Sequence, residues 1–194
     1  MSAINEHSAA SGTSGRAAGL AYLALGPWGA TPTDEAPPLL LLPGLLDDRI
    51  TLQRLARALA RGPVLPGPAT RPARPAQEGL KGRRLLLVEP LGAGQSEVPE
   101  DLATYAWPAQ VARLRALLAA LGLPLVDAVG LSLGGMWLQH ALAAGLGVRR
   151  VVLCATAAEV DPRLACVIDS LQGQHDAGLP AELLCRSLLP FLFS

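Results

Sequence analysis

The chain has 194 residues, of which 51% are hydrophobic and 16% are charged, and its formal net charge is zero. This balance offers neither the basic surface that binds nucleic acid nor an acidic tail, and no continuous apolar run approaches the ~20 residues of a membrane span. The three cysteines, Cys154, Cys166 and Cys185, lack metal-ligand spacing and are typical of buried thiols in a reducing compartment. We therefore predict a cytoplasmic protein without a metal site, a nucleic-acid partner or a membrane partner.

The N-terminal segment, residues 1–17, is made of small and polar residues without periodicity. It lacks the basic and apolar regions of a secretory signal, so we predict a disordered tail and assign no role to His7. Residues 18–28 have the pattern of one or two short strands around Tyr22, and they end near a Gly-Pro pair.

Apolar runs of strand length then alternate with helical patterns. The predicted strands are 38–42, 84–89, 125–131 and 150–155, and the predicted helices are 50–61, 102–121 and 133–144. Residues 62–78 hold five prolines and are interpreted as an irregular loop. Strands that alternate with single helices predict right-handed crossovers, and hence an α/β fold with a mostly parallel sheet and flanking helices.

The stretch Gly130-Leu-Ser-Leu-Gly134 joins one of these strands to the following helix and matches the G-x-S-x-G nucleophile elbow. So sharp a turn leaves no room for side chains two residues on either side of the serine, and glycines stand at both places. Ser132 would then lie at the C-terminal end of the strand, where the free N–H of Leu133 at the helix N-terminus can bind an oxyanion. We identify Ser132 as the candidate nucleophile. The alternative is a purely structural strand-to-helix turn.

The turn at residues 90–96 is also rich in glycine, but it does not fit a nucleotide site. A phosphate loop requires a lysine after the glycines and a helix that begins at once, and neither is present. The dinucleotide fingerprint requires three glycines, and this turn has two. We therefore predict no cofactor.

Three motifs, in this order along the chain, resemble the α/β-hydrolase superfamily, in particular its esterase-like and enol-lactonase-like members. Leu39–Asp47 is similar to the family's strand and oxyanion loop, Glu89–Ser96 to its Asp-x-x-Gly-x-Gly-x-Ser turn, and Gly130–Met136 to its elbow. Two positions depart from the pattern, since Pro43 stands where most members have His and Glu89 where most have Asp.

Beyond the tail predicted at 1–17, the resemblance implies an α/β-hydrolase core at 18–160 and the start of a helical lid at 161–194. It implies acyl transfer: Ser132 attacks a small-molecule ester, lactone or thioester, and the N–H groups of Leu45 and Leu133 hold the oxyanion. Each such donor is worth about 3–4 kcal/mol in a comparable site.

The acid and the base of a catalytic triad are not evident. In this fold they follow the nucleophile as acid and then histidine. His140 lies eight residues after Ser132, about 12 Å along the same helix, and is expected to be a partly buried helix residue. His175, in a polar stretch, is expected to be a surface residue. Among the candidate acids, Asp127 lies about 16 Å from the serine at the opposite end of its strand, whereas Asp161 follows the next strand and Asp169 lies in a predicted helix.

Beyond residue 161 the pattern is helical, at 164–171 and 179–189. The resemblance implies that further strands with the acid and the histidine would follow such a lid, so we expect a truncated hydrolase that lacks the C-terminal strands. We predict a serine hydrolase that cleaves a carboxylic ester or lactone through an acyl-enzyme on Ser132, inactive as this chain. The alternatives are an acyltransferase of the same fold and a non-catalytic fragment or interaction protein. An unpaired sheet edge at 150–155 would favour an oligomer.

Overall fold

The computed structural model describes residues 12–26, 28, 36–45, 52–54, 56 and 83–192. The chain divides into two compact units at residue 156. Of the predicted helix at 50–61, the described residues 52–54 and 56 are helical. The rest of that helix and the predicted loop at 62–78 lie outside the described residues.

The first unit is built on a six-stranded sheet. Its strands are β1 (Thr13–Ala17), β2 (Leu20–Leu25), β3 (Leu39–Leu42), β4 (Leu85–Val88), β5 (Val126–Leu131) and β6 (Val148–Cys154), and their order across the sheet is β1-β2-β4-β3-β5-β6. The pairs β4–β3, β3–β5 and β5–β6 are parallel, and β1–β2 and β2–β4 are antiparallel. The predicted α/β fold with a mostly parallel sheet is confirmed, and β6 is the last strand in the described part of the chain.

Part of the predicted N-terminal tail is a strand instead. Thr13–Ala17 pairs with β2 through a tight turn in which Ala18 and Gly19 both have positive φ, 50° and 79°. Two positive φ values match the right-handed twist of a hairpin. The sequence does not predict this strand, because β1 is largely exposed and polar and shows no apolar alternation. The strand is held by backbone pairing instead. Residues 1–11 of the tail lie outside the described residues.

The central strands are buried on both faces, as their unbroken apolar runs predict. In β3 the side chains alternate: Leu40 and Leu42 join the larger core, whereas Leu39 and Leu41 join the smaller core on the other face. All four leucines of β3 are at most 6% exposed. Full burial of each contributes about 1.5–3 kcal/mol, so the strand anchors the residues that follow it at its C-terminal end.

Two helices of the first unit pack on the larger core: α1 (Trp107–Ala120) and α2 (Leu133–Ala143). The single helix predicted at 102–121 is interrupted, since residues 102–105 form a separate 3-10 helix and Ala106 is extended. Pro108 explains the break, because proline has no N–H to donate to the preceding turn and is tolerated only in the first turn of a helix. The helix ends as predicted before Gly122, which has a φ of 66°.

The second unit consists, in its described part, of two helices, α3 (Pro162–Asp176) and α4 (Ala181–Leu192). Asp161 caps α3, and its carboxylate accepts a hydrogen bond of 2.8 Å from the N–H of Leu164. The helical patterns predicted at 164–171 and 179–189 are confirmed. None of the described helices combines the length and the apolar character that crossing a membrane requires.

Candidate active site

Ser132 lies at the tight junction of β5 and α2. Its φ of 47° and ψ of −114° are unusual for a residue with a side chain, and such values cost about 1–3 kcal/mol unless the surroundings hold them. The surroundings do so through the backbone: the N–H of Ser132 donates to the carbonyl of Cys154 (2.9 Å), and its carbonyl accepts from Gly135 (2.9 Å) and Met136 (3.1 Å). Ser132 is exposed to solvent.

The two glycines that flank the serine allow this turn. A Cβ on Gly130 would lie 2.6 Å from the Cα of Gly135, and a Cβ on Gly134 would lie 2.5 Å from the carbonyl oxygen of Leu42 and closer still to that of Pro43. Both clashes are with backbone, which cannot move aside as a side chain can. The two glycines therefore allow the close packing of α2 against β5 and the end of β3.

Leu45 and Leu133, the two residues expected to bind an oxyanion, lie on neighbouring segments. Leu45 follows the end of β3, next to the carbonyls that Gly134 approaches, and its side chain is 60% exposed. Leu133 is the first residue of α2, so its N–H has no partner within the helix. The strands β3 and β5 are adjacent and parallel, which brings their C-terminal ends to the same edge of the sheet.

Both residues border a cavity of about 350 Å³. Its walls are the loop after β3 (Pro43–Leu45), the loop after β4 (Pro90–Ala93), the start of α2, and the aromatic side chains of Tyr105, Trp107 and Trp137. Gln110 of α1 also lines it. A mostly apolar cavity with a few polar groups, at the C-terminal edge of a parallel sheet, is typical of a small-molecule site.

The sequence interpretation missed Gln110 and Trp137 as site residues. Gln110 is 7% exposed and Trp137 is 2% exposed. A signal existed for Gln110, because it precedes Val111 on the buried stripe of α1 that continues through Leu114, and a polar residue in such a stripe needs a partner.

The loop after β4 is held by the buried Glu89. One carboxylate oxygen of Glu89 accepts from the N–H of Gln95 (2.8 Å), and the Glu89 carbonyl accepts from the hydroxyl of Ser96 (2.7 Å). The Ser96 hydroxyl also accepts from the N–H of Ala21 on β2 (2.8 Å). Glu89 therefore shapes a wall of the cavity. It stands where most members of the family that the chain resembles have aspartate.

Within the first unit, the described histidine His140 is not hydrogen-bonded to Ser132. The ring of His140 stacks on Trp107, with centroids 5.0 Å apart, and its exposure corrects the expected partial burial. His175 is a surface residue as expected; it lies in the last turn of α3, and its ring nitrogen is 3.3 Å from Asp176. A hydrogen bond from Gln172, followed by that from His175, lowers the pKa of Asp176.

Asp127 belongs to an ion-pair cluster at the other end of β5. Arg149 donates two hydrogen bonds to its carboxylate, at 3.0 and 2.8 Å, and Arg83 donates another. The hydrogen bonds from Arg149, with the further contribution of Arg83, outweigh burial and lower the pKa of Asp127 to about 2. Arg149 reaches it because the β5–β6 register skips this residue at a bulge. Asp161, a helix cap, and Asp169, exposed on α3, belong to the second unit.

The three cysteines are free and exposed, which corrects the prediction of buried thiols. Cys154 is exposed because it ends β6, which in the described chain pairs on one side only. Within the ranges that the structure describes, no group of three or more His, Cys, Asp or Glu side chains could hold a metal ion.

The sheet, the strained serine between strand and helix, and the adjoining cavity define a protein of the α/β-hydrolase class. A sequence profile described as alpha/beta hydrolase fold matches residues 37–182. The chain therefore belongs to the α/β-hydrolase fold family. No curated protein matches the sequence.

Solved structures show the same fold. The chain is similar to MGS-M2, an α/β hydrolase from a Medee basin deep-sea metagenome library (19% identity, TM-score 0.62, 82% of this chain and 49% of that one). It is similar to a candidate aryl esterase from Burkholderia cenocepacia (20% identity, TM-score 0.57, 78% of this chain and 49% of that one). It is also similar to epoxide hydrolase A from Mycobacterium thermoresistibile (18% identity, TM-score 0.53, 74% of this chain and 38% of that one). The chain thus spans half or less of the length of these three proteins.

Proposed function

We propose that the chain carries the nucleophilic half of a serine hydrolase site that acts on a carboxylic ester or lactone. The observation that carries this proposal is the backbone of Ser132, whose positive φ holds an exposed serine at the start of α2. Strain of this kind persists only where surrounding structure maintains it, and it is common at active sites. The adjoining cavity, with Leu45 and Leu133 on its border, supplies a place for the substrate.

In the proposed reaction the Ser132 oxygen forms a bond to the carbonyl carbon, and the carbonyl electron pair moves to oxygen. The N–H groups of Leu45 and Leu133 stabilise this oxyanion. Its collapse breaks the bond to the alkoxy oxygen. That oxygen takes up the proton that the serine hydroxyl released, and it leaves as an alcohol or, when the substrate is a lactone, stays attached through the acyl chain. Water then cleaves the acyl-enzyme and restores the serine hydroxyl.

The identity of the nucleophile favours an ester over an epoxide, although an epoxide hydrolase is among the structural neighbours. Attack by a serine oxygen on an epoxide carbon would leave an ether on the enzyme, which water does not cleave readily. Attack on an ester leaves another ester, which water can hydrolyse. Turnover at Ser132 therefore requires an acyl substrate.

Deprotonation of Ser132 requires a general base, and no described side chain of the first unit is hydrogen-bonded to the Ser132 hydroxyl. The stacked ring of His140 lies two turns along α2 from the serine. We therefore expect the chain to acylate slowly, through the elbow and the oxyanion donors alone.

The test is covalent labelling of the chain with a fluorophosphonate, followed by mass spectrometry of the labelled peptide. We expect slow labelling at Ser132 in the wild type and none in Ser132→Ala. Ser170→Ala, which removes a serine of α3, is the matched control and should label like the wild type. A folded wild type that stays unlabelled at Ser132 after prolonged incubation would contradict the proposal.

A further inference from the structure

The cavity beside the elbow is lined by uncharged residues. None of the described residues on its wall is Asp, Glu, His, Lys or Arg. Glu89 precedes the loop that forms one wall, but it is 2% exposed, and its carboxylate accepts from the N–H of Gln95 inside that loop. A charged group that entered this cavity would therefore lose water without gaining a counter-charge, which is unfavourable.

Two aromatic side chains supply accessible surface on this wall. Tyr105 and Trp107 both border the cavity and both are half-buried, so part of each side chain stays accessible. Trp137 borders it too, but it is only 2% exposed. The aromatic surface that a ligand can reach therefore belongs to Tyr105 and Trp107.

Both rings are held by contacts within the first unit. The indole of Trp107 stacks on the imidazole of His140, with centroids 5.0 Å apart and an interplanar angle of 16°, so one of its faces is covered. Tyr105 packs on Gly92 of the loop after β4, where an added Cβ would lie 3.1 Å from the tyrosine ring. A wall that is already formed binds a ligand without the entropy cost of ordering its own side chains.

The cavity also limits the size of the group that it can take. Its volume of about 350 Å³ is at the small end of the ~300–1,000 Å³ range of ligand pockets. We therefore expect one ring rather than an extended aromatic system. Leu45 and Leu133 border the same cavity, so a ring bound there belongs to the part of the ester next to its carbonyl.

We propose that Tyr105 and Trp107 form a specificity site for a small, uncharged aromatic group of the ester, of the size of a phenyl ring. This inference rests on the proposed esterase function for the choice of an ester, but the binding preference itself needs no catalysis. Contacts between aromatic rings add stabilisation beyond the burial of apolar area, and a saturated ring of similar size cannot make them.

The first test compares an aromatic with a saturated ester. Methyl phenylacetate and methyl cyclohexylacetate are titrated into the Ser132→Ala chain, which cannot form an acyl-enzyme, and dissociation constants are measured by calorimetry. The cyclohexyl ring buries at least as much apolar surface as the phenyl ring, so burial alone would favour it. We expect the opposite order, with methyl phenylacetate bound about 2- to 10-fold more tightly.

The second test concerns charge. The 4-carboxy and 4-aminomethyl derivatives of methyl phenylacetate are charged at pH 7, whereas the 4-carbamoyl derivative is neutral and similar to both in size. We expect each charged derivative to bind at least about tenfold more weakly than the carbamoyl derivative, because the cavity wall offers no counter-charge.

Variants in the same Ser132→Ala background assign the aromatic preference to the two rings. Trp107→Leu and Tyr105→Leu should each reduce the preference for phenyl over cyclohexyl, and the double variant should abolish it. Trp107→Phe and Tyr105→Phe keep a ring and should retain most of it. Trp28→Leu makes the same change at a half-buried tryptophan outside the cavity wall and should keep the full preference.

Equal or tighter binding of the cyclohexyl ester would overturn the inference, and so would the absence of measurable binding of methyl phenylacetate at millimolar concentration. Charged derivatives that bind as well as the carbamoyl derivative, or a preference that survives in the folded double variant, would also overturn it. Hydrolysis by the wild type is measured separately. A preference in binding without hydrolysis would contradict only the proposed esterase function, and hydrolysis without the preference would contradict only the specificity site.

Discussion

Thr156 occupies the space that a side chain at Gly135 would need: a Cβ built on Gly135 would lie 2.6 Å from the Cβ of Thr156. Thr156 follows β6, and Gly135 is in the first turn of α2. This contact joins the elbow helix to the last strand of the sheet. The contact explains why a second glycine, Gly135, follows the last glycine of the G-x-S-x-G motif.

We therefore expect Gly135→Ala to lower the free energy of unfolding by about 1–3 kcal/mol through overpacking. In the background of Thr156→Gly the same change should cost much less, because the atoms that it meets have been removed. Urea denaturation of the four proteins of this cycle gives the coupling energy. Additive effects of the two substitutions would mean that the contact is not tight.

A side chain at Gly134 would clash with backbone rather than with another side chain, so no second substitution should restore the stability of a Gly134 variant. We expect Gly134→Ala to cost about 3 kcal/mol or more, and Gly134→Val to prevent folding, because neither the Leu42 nor the Pro43 carbonyl can withdraw. Gly173→Ala is the matched control. It places the same methyl group on a helical glycine with nothing within 4 Å, and it should stabilise α3 by about 0.5–1 kcal/mol. Circular dichroism during urea denaturation measures both, and an unchanged Gly134→Ala curve would contradict the close approach.

The ion-pair cluster around Asp127 predicts a specific loss of stability in acid. The folded-state pKa of about 2 lies below the ordinary value of 3.8, so this stabilisation is present above pH 3.8 and is lost as the pH falls towards 2. It amounts to about 2 kcal/mol for a carboxylate that is 5% exposed. Asp127→Asn should remove that amount at pH 7 and flatten the decline in stability between pH 4 and pH 2. Unfolding free energies at a series of pH values test this, and parallel curves for the two proteins would refute it.

His140 is not expected to act as the base for Ser132. Its ring is stacked on Trp107 with an interplanar angle of 16°, which places it against α1. His140→Ala should therefore leave the fluorophosphonate labelling rate of the chain within about twofold of wild type, and Trp107→Ala, which frees the ring, should not accelerate it. A labelling rate of His140→Ala ten times lower than that of the wild type would assign the histidine a role in the chemistry.

The outer side of β6 is predicted to mediate self-association. In the described chain β6 pairs only with β5, and Val151, Val152 and Leu153 are 42–54% exposed. An exposed apolar edge strand is a template for pairing with another chain. Val152→Lys should shift light scattering at micromolar concentration towards the monomer. Val98→Lys, at a valine that is 75% exposed in a loop, should not. A monomeric wild type would exclude this edge as an interface.

The order of strands and helices could be predicted from the sequence because each depends on nearby residues. The four leucines of β3 form a strand that is buried on both faces, and the glycines around Ser132 allow only a tight turn. The candidate nucleophile follows from the same local signals. The strand β1 could not be predicted, because its polar residues are held by pairing with β2 rather than by burial of their own side chains.

By itself, the sequence determined the α/β architecture, the elbow and Ser132 as the candidate nucleophile, since periodicity and glycine spacing act over a few residues. Only the tertiary structure decided that Gln110 and Trp137 line the same cavity, because α1 and α2 come together through packing on a shared core. It also decided that Asp127 is held by Arg149, which depends on a bulge in the pairing of β5 with β6. Such relationships join residues that are distant in the chain, and no local pattern encodes the distance between them.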